Sequence, residues 1–186
     1  LPVLTLNHQS SLFIEDNYLW RKVPQDVTEL ENPSEVWQRS HPAKSTIVGL
    51  SGLYLAQLTI KNEDQKTWYL VPNANFVDLG QAYWQPTRGT VIKLKNFSQL
   101  TTSQTPQLLH FQALPLSLKQ SETGTLWVYM SAKHYATAAS ITLYDEAHFY
   151  HYQSVSNSLS LAAISIMLLL SLLTFLIFIR TQERIA

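Results

Sequence analysis

Side chains that could bind a ligand lie in two stretches where apolar and polar or aromatic residues alternate. Gln57 lies in the first stretch, residues 54–61, and Trp127 and Tyr129 lie in the second, residues 125–131. Aromatic rings mixed with amide groups suit a polyol or another small polar ligand, because the rings supply apolar contact and the amides fix the orientation. The predicted site for a small polar or carbohydrate-like ligand comprises Gln57, Trp84, His110, Gln112, Trp127 and Tyr129.

A plainer interpretation of the same aromatic residues is structural. If Tyr54, Leu58, Val128 and Met130 face a core, the residues between them face the other way. Trp127 and Tyr129 could then simply cover one side of a twisted sheet or contact a neighbouring strand. The sequence leaves both interpretations open.

Few residues suggest catalysis. The chain has no cysteine, no glycine-rich phosphate loop and no Gly-x-Ser-x-Gly motif, and its remaining Ser, Thr and Lys residues lie in no catalytic pattern. Carboxylates occur in groups, but these groups fall in stretches with turn composition, where acids serve solubility and turn geometry. We therefore expect the chain to have no enzymatic activity.

Metal binding has two weak candidates, and no cofactor is expected. Ca²⁺ takes oxygen ligands from carboxylates, amides and carbonyl groups, and residues 15–17 and 62–64 offer such oxygens without a periodic ligand loop. His148 and His151 would share one face of a helix and offer two imidazoles to Zn²⁺, but no third ligand is evident. Because Tyr residues flank them, an aromatic belt at a membrane interface is the favoured interpretation.

The clearest structural element in the sequence is a membrane helix near the C-terminus. Residues 159–179 carry no charge and are long enough to cross the ~30 Å hydrocarbon layer as a helix. Arg180 and Arg184 follow the segment, whereas residues 145–152 contain no Lys or Arg. The positive-inside rule therefore predicts an inner-membrane protein with its C-terminus in the cytoplasm and its N-terminal domain in the periplasm.

Composition limits the remaining residues to one domain. Thirteen basic and thirteen acidic residues balance, and no basic run precedes the tail, so nucleic-acid binding is not expected. The chain begins at Leu1 without a basic, apolar leader, which predicts that a signal peptide has been removed. The predicted divisions are a periplasmic domain (residues 1–147), a juxtamembrane connector (residues 148–158), a transmembrane helix (residues 159–179) and a cytoplasmic tail (residues 180–186).

Short strands separated by turn residues dominate the predicted domain. About eight strands recur at ~8–12-residue spacing, the pattern of an antiparallel sandwich or barrel. No segment before the membrane helix is long enough for a helical crossover, and only one or two helical turns are expected, in residues 25–31. Pro115 predicts either an edge position or a bulge for the strand in residues 107–118. The predicted fold is mainly β, an antiparallel jelly-roll sandwich followed by one C-terminal transmembrane helix.

The order of several segments resembles a known family, the second type of periplasmic sensor domain in bacterial seven-transmembrane receptors with diverse intracellular signalling modules. Five segments carry the resemblance. They are an apolar run ending in an acidic pair (residues 12–16), a strand ending in Thr-Ile-Lys-Asn (residues 54–62), Phe-Val-Asp before a Tyr (residues 76–83), and two later strands (residues 114–118 and 125–131). Gln57 and Leu55 depart from the Arg and Trp often found there. The resemblance implies a jelly roll similar to carbohydrate-binding modules, the first of seven helices, and an output such as a histidine kinase or diguanylate cyclase beyond this chain.

Two functions follow as expectations. The first is a periplasmic ligand- or partner-sensing input domain of a membrane-bound receptor. The second is a single-pass, membrane-anchored sandwich that docks on another envelope component. Ser158 and Ala162 have the small-x-x-x-small spacing that lets helices approach closely, which fits either a dimer or a seven-helix bundle and does not decide between them. A homodimer or a partner membrane protein is a further expectation.

Overall fold

The structure is a computed structural model that describes residues 3–7, 11–14, 20–27, 29–43, 51–72, 77–94, 96–97, 113–135 and 139–183. The chain divides into two compact units, Leu1–Phe149 and Tyr150–Ala186. The helices are α1 (Pro33–Arg39) and α2 (Glu146–Glu183). The strands are β1 (Val3–Leu6), β2 (Ser11–Ile14), β3 (Trp20–Lys22), β4 (His41–Pro42), β5 (Gly52–Asn62), β6 (Trp68–Pro72), β7 (Leu79–Pro86), β8 (Ile92–Lys93), β9 (Leu114–Leu116), β10 (Thr123–Ala132) and β11 (Ile141–Asp145).

The larger sheet is built around β5 and β10, the two longest strands. Within the described residues its order is β4-β3-β5-β10-β7-β8, with neighbours antiparallel. One edge of β5 is shared, because β3 pairs with Tyr54–Ala56 and β1 pairs in parallel with Thr59–Asn62. This parallel pair is the exception to the predicted antiparallel pairing, and the chain between its two strands includes β2, β3, α1 and β4.

The smaller sheet has the order β2-β11-β6-β9, and all of its pairs are antiparallel. Pro115 lies in β9, at the edge of this sheet, as the sequence predicts. A proline has no N–H to donate, so an edge strand tolerates it where a central strand would lose a ladder hydrogen bond. The remainder of the strand expected in residues 107–118 lies partly outside the described residues.

The main core fills the space between the two sheets. The even-numbered residues of β5 and β10 point into it, including Tyr54, Leu58, Val128 and Met130, as their alternation predicts. The smaller sheet contributes the inward-facing residues of β6, β9 and β11. The predicted fold class, a mainly β antiparallel sandwich followed by one apolar C-terminal helix, is confirmed.

The short helix begins where the sequence predicts a helix to end. Residues 25–27 and 29–31, which the structure describes, form no helix, and α1 starts at Pro33, so the predicted position is wrong. A proline at the first helical turn gives up no helical hydrogen bond, and its fixed φ already suits the helix. Asn32 precedes it, where Nδ2 donates to Glu35 Oε2 at 3.1 Å and Oδ1 accepts from Ser34 Oγ at 3.0 Å.

Asn62 ties the end of β5 to a distant loop. The residue is fully buried, and its Nδ2 donates to the carbonyl oxygens of Asp64, Leu118 and Lys119 at 2.7, 3.1 and 3.1 Å. Its backbone also bonds with Ser121 and Glu122 in the turn before β10. These bonds fix the connection that sets the register of β10 against β5.

The chain passes from β11 into α2 at Asp145 without an intervening loop. Asp145 Oδ1 accepts from the His148 backbone N–H at 2.9 Å and is 2.7 Å from His148 Nδ1, which gives the helix an N-cap. Phe149 is buried and stacks on Tyr69 of the smaller sheet, with ring centroids 4.2 Å apart. The first turn of α2 therefore belongs to the sandwich, and the expected connector in residues 148–158 is helical throughout.

The remainder of α2 is apolar. In the described part of the chain it is the one helix long and apolar enough to cross a membrane, by length and composition. Its Leu, Ile, Met and Phe side chains are exposed from Leu159 onward. Ser165 and Thr174 return their hydroxyls to the carbonyl oxygens four residues earlier, so these polar groups are satisfied within the helix.

We expect Asn62→Ala to lower the free energy of unfolding by about 2–4 kcal/mol, because three buried carbonyl groups lose their shared donor. The measurement is chemical denaturation of the detergent-solubilised chain, followed by tryptophan fluorescence. All five tryptophans precede residue 128, so the signal reports on the sandwich. Gln65→Ala is the control, since it removes an exposed bond to Gln120. Equal losses for the two variants would contradict the assigned role of Asn62.

We expect acid to weaken the junction between β11 and α2. Burial by itself raises the pKa of Asp145, but the hydrogen bonds from His148 and the charges of His148 and Lys66 outweigh it and hold the pKa below its ordinary value. A carboxylate with a lowered pKa stabilises the fold above its unfolded pKa of about 4, and that stabilisation is lost as the pH falls through the folded pKa.

Asp145→Asn, which keeps a capping oxygen without the charge, should show a smaller loss of unfolding free energy between pH about 5 and pH about 2 than the unmodified chain does. Asp26→Asn, at an exposed carboxylate, serves as the control and should leave the pH dependence nearly unchanged. The measurement is denaturant unfolding at several pH values. An unchanged pH dependence in Asp145→Asn would exclude this carboxylate as its source.

Candidate functional site

The structure does not bring the six predicted ligand-binding residues together. Gln57, Trp127 and Tyr129 lie on the outer face of the larger sheet, where Trp127 pairs with Gln57 across β10 and β5. Trp84 instead points into the main core, where Gly124 makes room for its ring, since a Cβ on that glycine would lie 2.6 Å from it. His110 and Gln112 lie outside the described residues.

Trp127 and Tyr129 are buried in a second apolar cluster. Trp127 is 3% exposed and Tyr129 is fully buried. They pack with apolar residues of the sheet and of the segment before and within α1, namely Val23, Val36, Leu55 and Tyr83. The rings are therefore covered by α1 and offer no open stacking platform, which agrees with the plainer interpretation of the sequence.

Specific contacts hold α1 over this face. Trp37 meets Trp127 edge to face, with centroids 5.8 Å apart. The guanidinium of Arg21 lies 4.4 Å above the Trp37 ring and donates to the Trp37 carbonyl oxygen at 2.9 Å. Trp127 Nε1 donates to Gln85 Oε1 at 3.0 Å, so the buried indole is satisfied.

A cavity opens on the same face, beside β7. Its volume is about 410 Å³, and its lining comprises Glu29, Leu30, Glu31, Gln81, Tyr83 and Lys93. An amide, a phenol, an ammonium and two carboxylates therefore meet around one small space. A few polar groups converging on a concave surface are typical of a small-ligand site.

Tyr83 is the most informative group in this cavity. The residue is 2% exposed, and its hydroxyl is buried with no hydrogen-bond partner among the described residues. Burial raises the pKa of Tyr83, and the negative charge of Glu31 raises it further, so the hydroxyl keeps its proton at neutral pH. A buried donor left without an acceptor costs free energy, and a bound oxygen atom would remove that cost.

Gln81 has a similar environment. It precedes Tyr83 by two residues on β7, so both side chains lie on the outer face. Gln81 is 6% exposed and, like Tyr83, is one of the lining residues. Two buried polar side chains on adjacent outward positions of one strand thus line the same cavity.

A second cavity of about 480 Å³ adjoins the first, because both are lined by Glu29 and Glu31. Its other polar lining residues are largely engaged. Arg39 and Asp26 form an ion pair at 2.6 Å, and Glu35 accepts from Asn32. We define the two cavities together as the outer-face groove.

No sequence pattern described above predicts this groove. The sequence predicts one or two helical turns in residues 25–31, and the grouped acids are interpreted as turn residues. Neither interpretation connects these residues with β7. The alternation of β7 could have pointed to Gln81 and Tyr83, because both fall on the outward face that the aromatic residues of β10 share. The alternation does not predict where α1 packs. In the structure α1 covers Trp127, and Tyr83 lies at the edge of the area that α1 and the segment before it cover.

The metal candidates of the sequence are not assembled in the described residues, where no three His, Asp or Glu side chains come together as ligands. Asn62 directs its amide nitrogen to carbonyl oxygens, and Glu63 pairs with Lys61 at 2.7 Å. His148 is bound to Asp145. Residues 15–17 lie outside the described residues, and Ca²⁺ binding stays a prediction.

No protein-family model and no curated protein matches the chain. Two solved structures are similar at low identity. One is a Bacteroides fragilis protein provisionally assigned as a β-galactosidase, at 10% identity and a TM-score of 0.42, covering 73% of this chain and 23% of that one. The other is from work on the promiscuous specificity of carbohydrate-binding modules of the β-sandwich superfamily, at 14% identity and a TM-score of 0.25, covering 55% of this chain and 43% of that one.

The chain thus spans less than half the length of either structure. At these scores the likeness extends to no particular residue. The resemblance of the sequence to receptor sensor domains stays a prediction.

Proposed function

We propose that this chain is the membrane-anchored input domain of a bacterial signal-transduction receptor and that it senses a small polar or carbohydrate-like ligand. The observation that carries the proposal is Tyr83, a residue that lines the cavity and whose buried hydroxyl lacks an acceptor among the described residues. A ligand oxygen would satisfy it. As proposed, the chain itself has no catalytic activity, and any catalytic output lies outside it.

The junction between β11 and α2 supports a signalling role. Because Asp145 caps α2 directly at the end of β11, no flexible linker separates the sandwich from the start of the helix. The stack of Phe149 on Tyr69 adds a second attachment. A ligand would alter the helix only by binding one arrangement of the sandwich better than another, so differential affinity is the required property.

The proposed location is the inner membrane, with the sandwich in the periplasm and the C-terminus in the cytoplasm. Arg180 and Arg184 after the apolar segment, and the lack of Lys or Arg in residues 145–158, support this orientation. The alternative function, a single-pass subunit that docks on another envelope component, would need the same anchor but no small-ligand site. Ligand binding therefore separates the two functions.

We expect Tyr83→Phe to weaken binding of a monosaccharide probe about five- to thirtyfold, because a buried hydrogen bond to the ligand is lost. The same change should leave the unfolding free energy unchanged or slightly higher, since it removes an unpartnered hydroxyl. The measurement is isothermal titration of the full chain in nanodiscs with glucose, galactose, glucosamine and N-acetylglucosamine.

Tyr129→Phe is the matched control for this experiment. It also removes a buried hydroxyl without a partner in the described chain, but Tyr129 does not line the groove. Its binding should equal that of the unmodified chain. If every sugar that binds is bound equally well by both variants, the assignment of Tyr83 to a ligand site is wrong.

We expect single cysteines to report the proposed orientation without background, because the chain has none of its own. Glu63→Cys, in the turn after β5, should react with a membrane-impermeant maleimide once the outer membrane is permeable. Gln182→Cys, at the end of α2, should react only after the inner membrane is disrupted. The opposite order of labelling would reverse the orientation and refute the periplasmic location.

A further inference from the structure

The outer-face groove carries an excess of negative charge that the whole chain does not have. The chain has 13 acidic and 13 basic residues, so its net charge is zero. The groove is lined by Asp26, Glu29, Glu31 and Glu35 against Arg39 and Lys93, which gives a local charge of −2. The excess is therefore concentrated at the groove.

Most of this excess comes from two carboxylates without partners. Asp26 is neutralised by Arg39, and Glu35 accepts from Asn32. Glu29 and Glu31 form no ion pair or hydrogen bond within the described residues, and they are the two acids that both cavities share. Their carboxylates are the free acceptors of the groove.

Hydrogen-bond donors without partners line the cavity beside β7. Tyr83 has a buried hydroxyl with no acceptor among the described residues, and Gln81 is nine-tenths buried beside it. Lys93 also lines this cavity, yet it lies within 4.0 Å of no carboxylate in the described chain. The cavity is thus lined by acceptors and donors that form no hydrogen bond or ion pair with each other among the described residues.

From this arrangement we infer that the groove selects small molecules that carry a protonated amine together with oxygen acceptors. Glu29 and Glu31 would accept from the ammonium, and Tyr83, Gln81 and Lys93 would donate to hydroxyl or carboxylate oxygens of the same molecule. The inference rests on the proposed function and narrows its ligand class. Amino sugars and amino acids both present this chemistry.

A divalent cation fits the groove less well than an amine does. Only two free carboxylates face it, the described residues gather no third ligand, and Lys93 adds a positive charge to the same wall. A divalent cation bound largely by the protein needs more oxygen ligands than this, whereas an ammonium is satisfied by two or three acceptors. The donors would have no role towards a bare cation.

Pairs of probes that differ by one amine test the inference on the full chain in nanodiscs. Glucosamine is compared with glucose and with N-acetylglucosamine, and L-alanine is compared with L-lactate. We expect the amine-bearing member of at least one pair to bind about five- to tenfold more tightly. Its affinity should fall as salt rises from about 0.05 to 0.5 M, because the carboxylates are exposed and screened.

The two pairs also identify the source of the amine. A preference for glucosamine alone assigns an amino sugar, and a preference for L-alanine alone assigns an amino acid. If probes bind but neither pair shows a preference for its amine-bearing member, the amine inference fails while the proposed function stands. If no probe binds, both fail.

The double variant Glu29→Gln, Glu31→Gln should remove the preference for the amine and leave the affinity for glucose unchanged. Both residues are exposed, so the fold should tolerate the change. Glu63→Gln is the control, because that acid pairs with Lys61 in the turn after β5, outside the groove lining. A preference that survives the double variant would overturn the assignment of these carboxylates.

Discussion

The larger sheet must be buried on both faces, and much of the arrangement follows from this constraint. Its central strands β5 and β10 carry apolar side chains on both sides, with Leu58 and Val128 on one and Leu55 and Tyr129 on the other. The smaller sheet covers the first face. The second face is covered by α1 and the segment before it, which bury the apolar side chains that β5 and β10 carry on that side.

The cover over the outer face is smaller than the sheet. Trp37 and Val36 reach the middle of the face, over Trp127, and are held there by Arg21. Beside the area covered by α1, the outer face of β7 presents Gln81 and Tyr83, and these polar residues line the cavity. The groove is thus a consequence of how far one seven-residue helix extends, and its charge comes from the loop that leads into that helix.

Much of the fold could be predicted from the sequence, and less of the site. The alternation in β5 and β10 indicated their inner faces correctly, and Pro115 indicated an edge strand, since both signals depend on local geometry. The start of α1 at Pro33 could not be separated from a helix end before it, because a proline is compatible with either. Nor could Trp127 be recognised as covered, since coverage depends on a helix about 90 residues earlier in the chain. The site depends on the same long-range contact.

The shared edge of β5 also bears on how the domain folds. Val3 of β1 pairs with Thr59, across 56 residues of sequence, whereas β5 and β6 adjoin in the chain. Contacts that close long loops form slowly, because the entropy of closure is lost before the pairing compensates it. Until β1 pairs with it, the backbone of Thr59–Asn62 is an open strand edge. Such an edge accepts foreign strands as readily as its own, so the short N-terminal strand protects the nascent domain against aggregation.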